Sequence, residues 1–389
     1  MKPFKQATIV GAGAMGRGIA QVLAEAGVNV TLYDTHESAL TSAIKQLESV
    51  YSRLVEKGRR SRQSCDEALA RITTIVNFKD AEGSDLVIEA IIESLDAKRS
   101  VFQMVDDVVS EDCVLATNTS SLSIAAISAG VNNPGRVVGL HFFNPAALMP
   151  LVEIVPSLAT DPDVLARCKS AVKAWGKSGV VAADSPGFIV NRVARPFYAE
   201  AMHMLEEGLA DVPTIDWAMR EIGGFRMGPF QLMDLIGHDV NYVVTETVWT
   251  QFYFDPRFRP NLTQKRLLDA GWLGRKSGKG FYDYTDGASN PSATEDRALG
   301  QVIVDRITAL LFNEAADALY RNICSASDLE TAMLRGVNYP KGLLQWANET
   351  GLDIIVSRLN ALRERTGDTR YRPCPLLVDR ASNNQLFEC

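Results

Sequence analysis

The 389-residue chain is predicted to fold as an α/β domain followed by an all-helical part. Three observations carry that prediction. Short β-branched runs alternate with helical periodicity through the first half, the pattern of a doubly wound, mostly parallel sheet. A glycine-rich turn, Gly11-Ala12-Gly13-Ala14-Met15-Gly16, joins the first strand to the first helix. Beyond Ile189 the strand signals stop, and part of the helical sequence recurs at a constant offset. A chain of this length is too long for one core, so two or three domains are expected.

Ala7-Thr8-Ile9-Val10 is the first strand. The helical pattern after the glycines runs through Ile19, Val22, Leu23 and Ala26 to Gly27, which suits a helix C-terminus. Val28–Tyr33 is the second strand, and it ends in Asp34. Strand, glycine turn, helix, strand and acid in that order form the dinucleotide fingerprint of a Rossmann-type domain, far more specific than the glycines alone. Gly11 permits the tight turn. Gly13 lets backbone N–H groups, those of Ala14 and Met15 included, approach a pyrophosphate, and Gly16 lets the helix pack on the strand. Asp34 stands where a carboxylate accepts hydrogen bonds from the adenosine ribose and repels a 2′-phosphate. With no Arg or Lys in Thr35–Ser38, the expected cofactor is NAD and not NADP. His36 reads as a solvated loop residue beside that site.

Further strands are expected at Leu86–Ala90, Val114–Thr117, Val137–Phe142 and Leu151–Val155, with helices at Ala97–Val109 and Pro162–Trp175. Ligands of such sheets lie beyond the carboxyl ends of the strands. Glu93, Ser120, His141 and Asn144 all fall at or just past such ends. Helical patterns from Ser38 to Lys57 and from Ser64 to Ala70 interrupt the alternation and read as an inserted helical arm. Lys57, Arg59, Arg60 and Arg62 make its tip basic, which suits either a ligand or a solvated turn.

His141 leaves a hydrophobic strand, and Glu153 lies on the next. Oxidising a secondary alcohol requires removal of the hydroxyl proton as hydride departs, and a neutral imidazole with a pKa near ~6.5 suits that task. A carboxylate on its far nitrogen holds one tautomer and stabilises the imidazolium. The bland alternatives are a buried structural His141, a helix N-cap at Ser120, a solvated Glu93–Lys98 helix pair, and a capping or bridging Asn191. His203 reads as packing or surface, and His238 as a loop residue.

Bulk properties narrow the field. A hydrophobic content of 46% and a charged content of 22% are ordinary for a globular protein. The net charge of −7, with no basic block, disfavours nucleic acid. The six scattered cysteines, Cys65, Cys113, Cys168, Cys324, Cys374 and Cys389, have no metal spacing and read as reduced thiols. No metal is expected. Met1 to Gln6 leaves no room for a signal peptide, and Phe387-Glu388-Cys389 matches no lipidation or peroxisomal signal. Cys113–Gly135 lacks charge but is too polar for a membrane span. A cytoplasmic location is expected.

The motifs together resemble the L-3-hydroxyacyl-CoA dehydrogenase family, which includes the 3-hydroxybutyryl-CoA dehydrogenases. The resemblance is carried by Gly11–Gly18, Ala90-Ile91-Ile92-Glu93, Thr117–Ile124, His141-Phe142-Phe143-Asn144-Pro145, Asp184–Arg192, Met227-Gly228-Pro229-Phe230 and Gly274–Tyr282. It implies His141 as catalytic base and Glu153 as its orienting partner. It implies that Ser120 and Asn191 bind the substrate's hydroxyl and thioester carbonyl. NAD contacts are implied for Asp34, Glu93, Lys98, Ser120, Asn144 and Lys276, and a CoA contact for Lys57. Pro150 departs from the basic residue many members carry there.

In the second half, Phe225–Asp239 and Tyr339–Asp353 align without gaps at an offset of 114 (339 − 225). The same offset places Glu200 on Glu314 and Asn191 on Asp305. The reading is an NAD-binding domain over 1–186, a helical substrate and dimerisation-type domain over 187–286, and a degenerate second copy over 292–389, with Gly287–Pro291 as linker. The second copy has lost the substrate-facing Asn and reads as structural. It is expected to pair with the first within the chain, leaving homodimerisation open. The function expected is reversible NAD-dependent oxidation of (3S)-3-hydroxyacyl-CoA, with a short or dicarboxylic acyl group. The alternatives are oxidation of a free hydroxy acid or sugar acid on the same scaffold, and a non-catalytic NAD-binding protein.

Overall fold

The computed structural model describes residues 2–388, so the expected free thiol Cys389 lies outside the described residues. Cys65, Cys113, Cys168 and Cys374 are buried free thiols. The chain divides into two compact units, Met1–Ser185 and Pro186–Cys389. No helix among the described residues is long and apolar enough to cross a membrane.

The first unit is built on one sheet of eight strands: β1 (Gln6–Val10), β2 (Asn29–Tyr33), β3 (Ile72–Ile75), β4 (Leu86–Glu89), β5 (Val114–Thr117), β6 (Val137–Phe142), β7 (Leu151–Pro156) and β8 (Ser178–Val181). Their order is β3-β2-β1-β4-β5-β6-β7-β8, parallel except where β7 runs against β6. Strands β4, β5 and β6 are buried along their whole length, as expected of a sheet covered on both faces. β3 and β8 carry no apolar run that marks them in the sequence. Both lie at the sheet's edges, where exposed residues such as Thr73, Thr74 and Gly179 are tolerated.

Among the described residues, six α-helices complete the unit: α1 (Ala14–Glu25), α2 (Glu37–Glu56), α3 (Arg62–Ala70), α4 (Leu95–Asp106), α5 (Ile124–Ser128) and α6 (Pro162–Ala174). The α1 terminus closes as expected. Gly27 has φ +86°, and the Val28 N–H returns to the Leu23 carbonyl. The arm formed by α2 and α3 shares the main core, burying Leu40, Ala43, Leu47, Tyr51, Cys65 and Ala68. The N-cap of α5 is Ser123, whose hydroxyl accepts the Ala126 N–H, and not Ser120. Asp184 reinforces that cap by accepting the N–H groups of Ile124 and Ala125 at 2.9 and 2.8 Å.

The second unit is helical: α7 (Val190–Val193), α8 (Arg195–Glu206), α9 (Val212–Trp217), α10 (Pro229–Ile236), α11 (His238–Gln251), α12 (Leu262–Asp269), α13 (Arg297–Tyr320), α14 (Ala326–Gly336), α15 (Leu343–Thr350), α16 (Leu352–Thr366) and α17 (Pro375–Ser382). The sequence offset has structural counterparts. α15 begins and ends 114 residues after α10 (343 − 229, 350 − 236). Between each of these helices and the next stands a glycine of positive φ, Gly237 at +98° and Gly351 at +94°. The Asp216 carboxylate accepts the N–H groups of Phe230 and Gln231, and Glu330, 114 residues on, accepts those of Leu344 and Gln345.

Ion pairs cross between the two halves reciprocally. Arg192 Nε donates to Glu314 at 2.8 Å, and Arg306 Nε donates to Glu200 at 2.5 Å. Both members are offset by 114 (306 − 192, 314 − 200). Arg257 reaches Glu314 at 3.0 Å and Arg370 reaches Glu200 at 3.4 Å, now offset by 113 (370 − 257). Residue i meeting j while j's counterpart meets i's is the signature of a two-fold interface.

Candidate active site

Parallel strands β1, β4, β5 and β6 bring their carboxyl ends to one edge of the sheet. At the end of β1, Gly11 takes φ +105°, and a Cβ there would lie 2.7 Å from the Ala90 carbonyl. A Cβ on Gly16 would lie 1.8 Å from the Gly11 carbonyl, so α1 approaches β1 as only glycine allows. A Cβ on Gly13 meets nothing within 4 Å, which leaves space over the backbone that opens α1. Gly13 is the N-cap, with Ala14 and Met15 as the first helical residues. Their N–H groups are among the donors a helix start leaves unpaired within the helix. Asp34 follows β2; its carboxylate accepts the Ala12 and His36 N–H groups at 2.9 Å each. A carboxylate has further lone pairs beyond those two. His36 is exposed and N-caps α2. The cradle therefore fits a dinucleotide: an open helix start for the pyrophosphate, and an acid at the second strand for the ribose.

Beyond β4 and β5 lies a carboxylate network. Glu93 accepts the Thr119 hydroxyl at 2.6 Å and the Ser120 N–H at 2.9 Å. Lys98 is buried, its ammonium 2.7 Å from Glu89 and 3.2 Å from Glu93. The Glu93–Lys98 pair is thus no solvated helix pair; the lysine turns inward. Burial pushes the Glu93 pKa up, but Lys98 and the Thr119 and Ser120 hydrogen bonds outweigh it, leaving the carboxyl below its ordinary value. Glu89 is fully buried and also accepts the Ile91 N–H and the Thr117 hydroxyl, at 2.7 Å each. Sequence reasoning passed over Glu89, although a carboxylate inside Leu86–Ala90 was itself a signal. It also passed over Asn118, whose side-chain oxygen accepts the Phe142 N–H at 2.8 Å beside His141.

His141 and Glu153 are direct partners in the antiparallel register of β6 and β7. Directly opposed residues project to the same face, and His141 Nδ1 lies 2.7 Å from Glu153 Oε2. Glu153 is fully buried and His141 is 6% exposed. An ionised carboxylate at that depth requires hydrogen-bonded compensation. With Nδ1–H donating to the carboxylate, the neutral ring carries its lone pair on Nε2. This arrangement can accept a proton and hold the resulting imidazolium. Asn144 is exposed on the connection after β6, and Lys57 is the exposed C-cap of α2. At the same tip, Arg60 is taken up by Glu25 at 2.6 Å.

Asn191 and Lys276 belong to the second unit. Asn191 lies in α7, after a turn in which Gly187 and Phe188 both have positive φ, +73° and +47°. That conformation is strained for a phenylalanine. Lys276 is 2.5 Å from Asp239, on a hairpin held by Asp234. The Asp234 carboxylate accepts the Phe281 and Tyr282 N–H groups at 2.9 Å and the Tyr284 hydroxyl at 3.0 Å. His238 Nε2 lies 2.9 Å from Asp234, so His238 is a buried member of this clamp and not the loop residue expected. His203 is half-buried against Asn261.

A doubly wound sheet with this glycine turn and a carboxylate-bound histidine at the same edge defines a nicotinamide-dinucleotide dehydrogenase. Residues 6–185 match the family description "3-hydroxyacyl-CoA dehydrogenase, NAD binding domain", and residues 187–284 and 302–388 match "3-hydroxyacyl-CoA dehydrogenase, C-terminal domain". The chain belongs to the 3-hydroxyacyl-CoA dehydrogenase family and is an NAD-dependent oxidoreductase. It is 36% identical to a 3-hydroxyadipyl-CoA dehydrogenase of Escherichia coli K12, over 98% of each chain. It is 39% identical to a probable 3-hydroxybutyryl-CoA dehydrogenase of Bacillus subtilis, covering 74% of this chain and 99% of that one. A crystal structure of 3-hydroxybutyryl-CoA dehydrogenase from Escherichia coli K12 superposes with a TM-score of 0.94 at 35% identity, covering 98% and 99% of the two chains.

Proposed function

We infer that His141 is the general base in the reversible oxidation of a short-chain or dicarboxylic (3S)-3-hydroxyacyl-CoA to the 3-oxoacyl-CoA. The observation that carries this reading is the 2.7 Å contact between His141 and Glu153 in direct register. Nε2 takes the hydroxyl proton, and Glu153 stabilises the imidazolium and keeps the ring from turning. NAD, when bound, supplies the acceptor for the hydride that leaves the same carbon. Asn191 and Ser120 orient the thioester carbonyl and the hydroxyl, a positioning effect worth on the order of ~7 kcal/mol in well-aligned systems. Asp34, Gly11, Gly13, Ala14, Met15 and Gly16 hold the dinucleotide, with Asn144 and Lys276. Glu93 is held for its contact by Lys98, which acts through it. Lys57 meets CoA.

The acyl range is taken from the names of the two relatives, which differ in chain length and in terminal charge. NADH oxidation by purified protein tests the reading with acetoacetyl-CoA. Turnover of 3-hydroxybutyryl-CoA with none of free 3-hydroxybutyrate is expected. Turnover of the free acid alone would replace the reading by the hydroxy-acid alternative.

The helical unit is read as a duplicated domain, 187–286 and 292–389, whose second copy takes the place of a partner subunit. The reciprocal Arg192–Glu314 and Arg306–Glu200 pairs support this, as does the match of one family description to two stretches.

A further inference from the structure

Four buried arginines of the helical unit, Arg192, Arg257, Arg306 and Arg370, are each held by carboxylates. Arg195 differs. It opens α8, is 5% exposed, and has no ion-pair partner among the described residues. Its Nη1 donates to the Thr245 hydroxyl at 3.0 Å and to the Asn241 carbonyl at 3.5 Å. The guanidinium lies 4.9 Å over the Tyr198 ring. Its Nε–H has no acceptor, and the hydroxyl of Tyr339 is likewise buried without a partner. Burial pushes the Arg195 pKa down, and only Tyr198 and Tyr339 act in the other direction.

A cation kept this dry without a counter-charge is strongly unfavourable, whereas an apolar residue of similar volume is not. Packing does not demand it either. The position 114 residues on is Ala309, so the second copy builds the same interface without an arginine. Asn191 is lost at the same offset, to Asp305. Arg195 follows Asn191 by four residues. The intervening Ala194 is helical in φ and ψ, so both side chains lie on one helical face, about 6 Å apart along the axis. The carbons between the two ends of a six-carbon diacid span a comparable length.

We propose that Arg195, assisted by Tyr339, binds a carboxylate at the far end of the acyl chain and selects dicarboxylic over monocarboxylic thioesters. This rests on the reading of Asn191 as the residue that holds the thioester carbonyl. Two donors without acceptors receive the two oxygens of one carboxylate, and the guanidinium gains the counter-charge it lacks.

The test compares 3-oxoadipyl-CoA with 3-oxohexanoyl-CoA, which matches it in length and ends in a methyl group, in the NADH-consuming direction. For the unaltered protein, kcat/KM is expected to favour the diacid on the order of 10- to 100-fold. Arg195→Met collapses that ratio towards one, mainly through KM, and Arg195→Lys restores part of it. Equal or inverted preference in the unaltered protein overturns the proposal, even if the variants fail to fold. A ratio unchanged in Arg195→Met overturns it too. Absence of turnover with both thioesters, and with acetoacetyl-CoA, overturns instead the dehydrogenase reading beneath it.

Discussion

A histidine acts as a base only when one tautomer is held and the charge it acquires is met. In the proposed mechanism Glu153 does both from the neighbouring strand, at 2.7 Å and fully buried. His141→Ala is therefore expected to lower kcat by about 10²–10⁴-fold, with NAD affinity near that of the unaltered protein. Fluorescence titration with NADH beside steady-state assays checks both. Glu153→Gln keeps the shape and loses the charge. It should lower kcat by about 100-fold or more with KM little changed, and an unaltered kcat would remove Glu153 from the mechanism. A subtler expectation concerns Glu89, which binds Lys98, Thr117 and the Ile91 N–H. Glu89→Gln leaves Lys98 poorly paired and Glu93 less well held, so the Kd for NADH should rise several-fold while the pH profile of kcat stays put. The two ends of the His141–Glu153 pair were legible because His and Glu stand out in hydrophobic strands. Glu89 stood out equally, but its role depends on a lysine nine residues away turning inward, and periodicity does not report which way a long side chain folds.

Elements place these residues through contacts that tolerate little change. Gly16 and Gly13 make opposite predictions within one turn. A methyl on Gly16 collides with the Gly11 carbonyl at 1.8 Å, so Gly16→Ala should cost about 3 kcal/mol or more in a denaturant titration. A methyl on Gly13 meets only open space, so Gly13→Ala should melt like the unaltered protein yet bind NADH more weakly. Weak folding together with normal binding in Gly13→Ala would reverse the assignment. The central strands were legible because each is a short apolar run, whereas their order in the sheet was not. Edge strands β3 and β8 were not, since an edge needs only one buried face. The pairing of His141 with Glu153 also required the antiparallel turn between β6 and β7. The spacing held that signal, because residues 143–150 are too few for the dozen or so that a parallel crossover needs.

At the scale of the whole molecule, we read the reciprocal arginine–carboxylate pairs as a two-fold interface closed within one chain. The offset of 114 was visible in sequence. The exchange of Arg192 and Arg306 between opposite carboxylates was not, because it joins residues more than a hundred positions apart. Breaking one member of a buried pair leaves its partner charged and dry. Arg192→Met should therefore lower the stability of the helical unit by about 3–5 kcal/mol. The same interface has a pH signature. Arg257, Arg192 and Arg321 outweigh the effect of burial and hold the Asp317 carboxyl below its ordinary value, while the Arg306 hydrogen bond does the same for Glu207. Carboxylates depressed on folding contribute their stability in full above the ordinary value of about 4, and lose it as pH falls through the folded one. Urea midpoints should hold steady above about pH 5 and fall towards pH 2, less steeply in Arg192→Met because Asp317 has one cation fewer. Equal slopes in the two proteins would show that the acid transition lies elsewhere. If the internal interface replaces a second subunit, light scattering at assay concentrations should return the mass of one chain. Arg192→Met should leave that mass unchanged while lowering the urea midpoint. A dimer that dissociates on this substitution would mean that the arginines hold two chains together and not two halves of one.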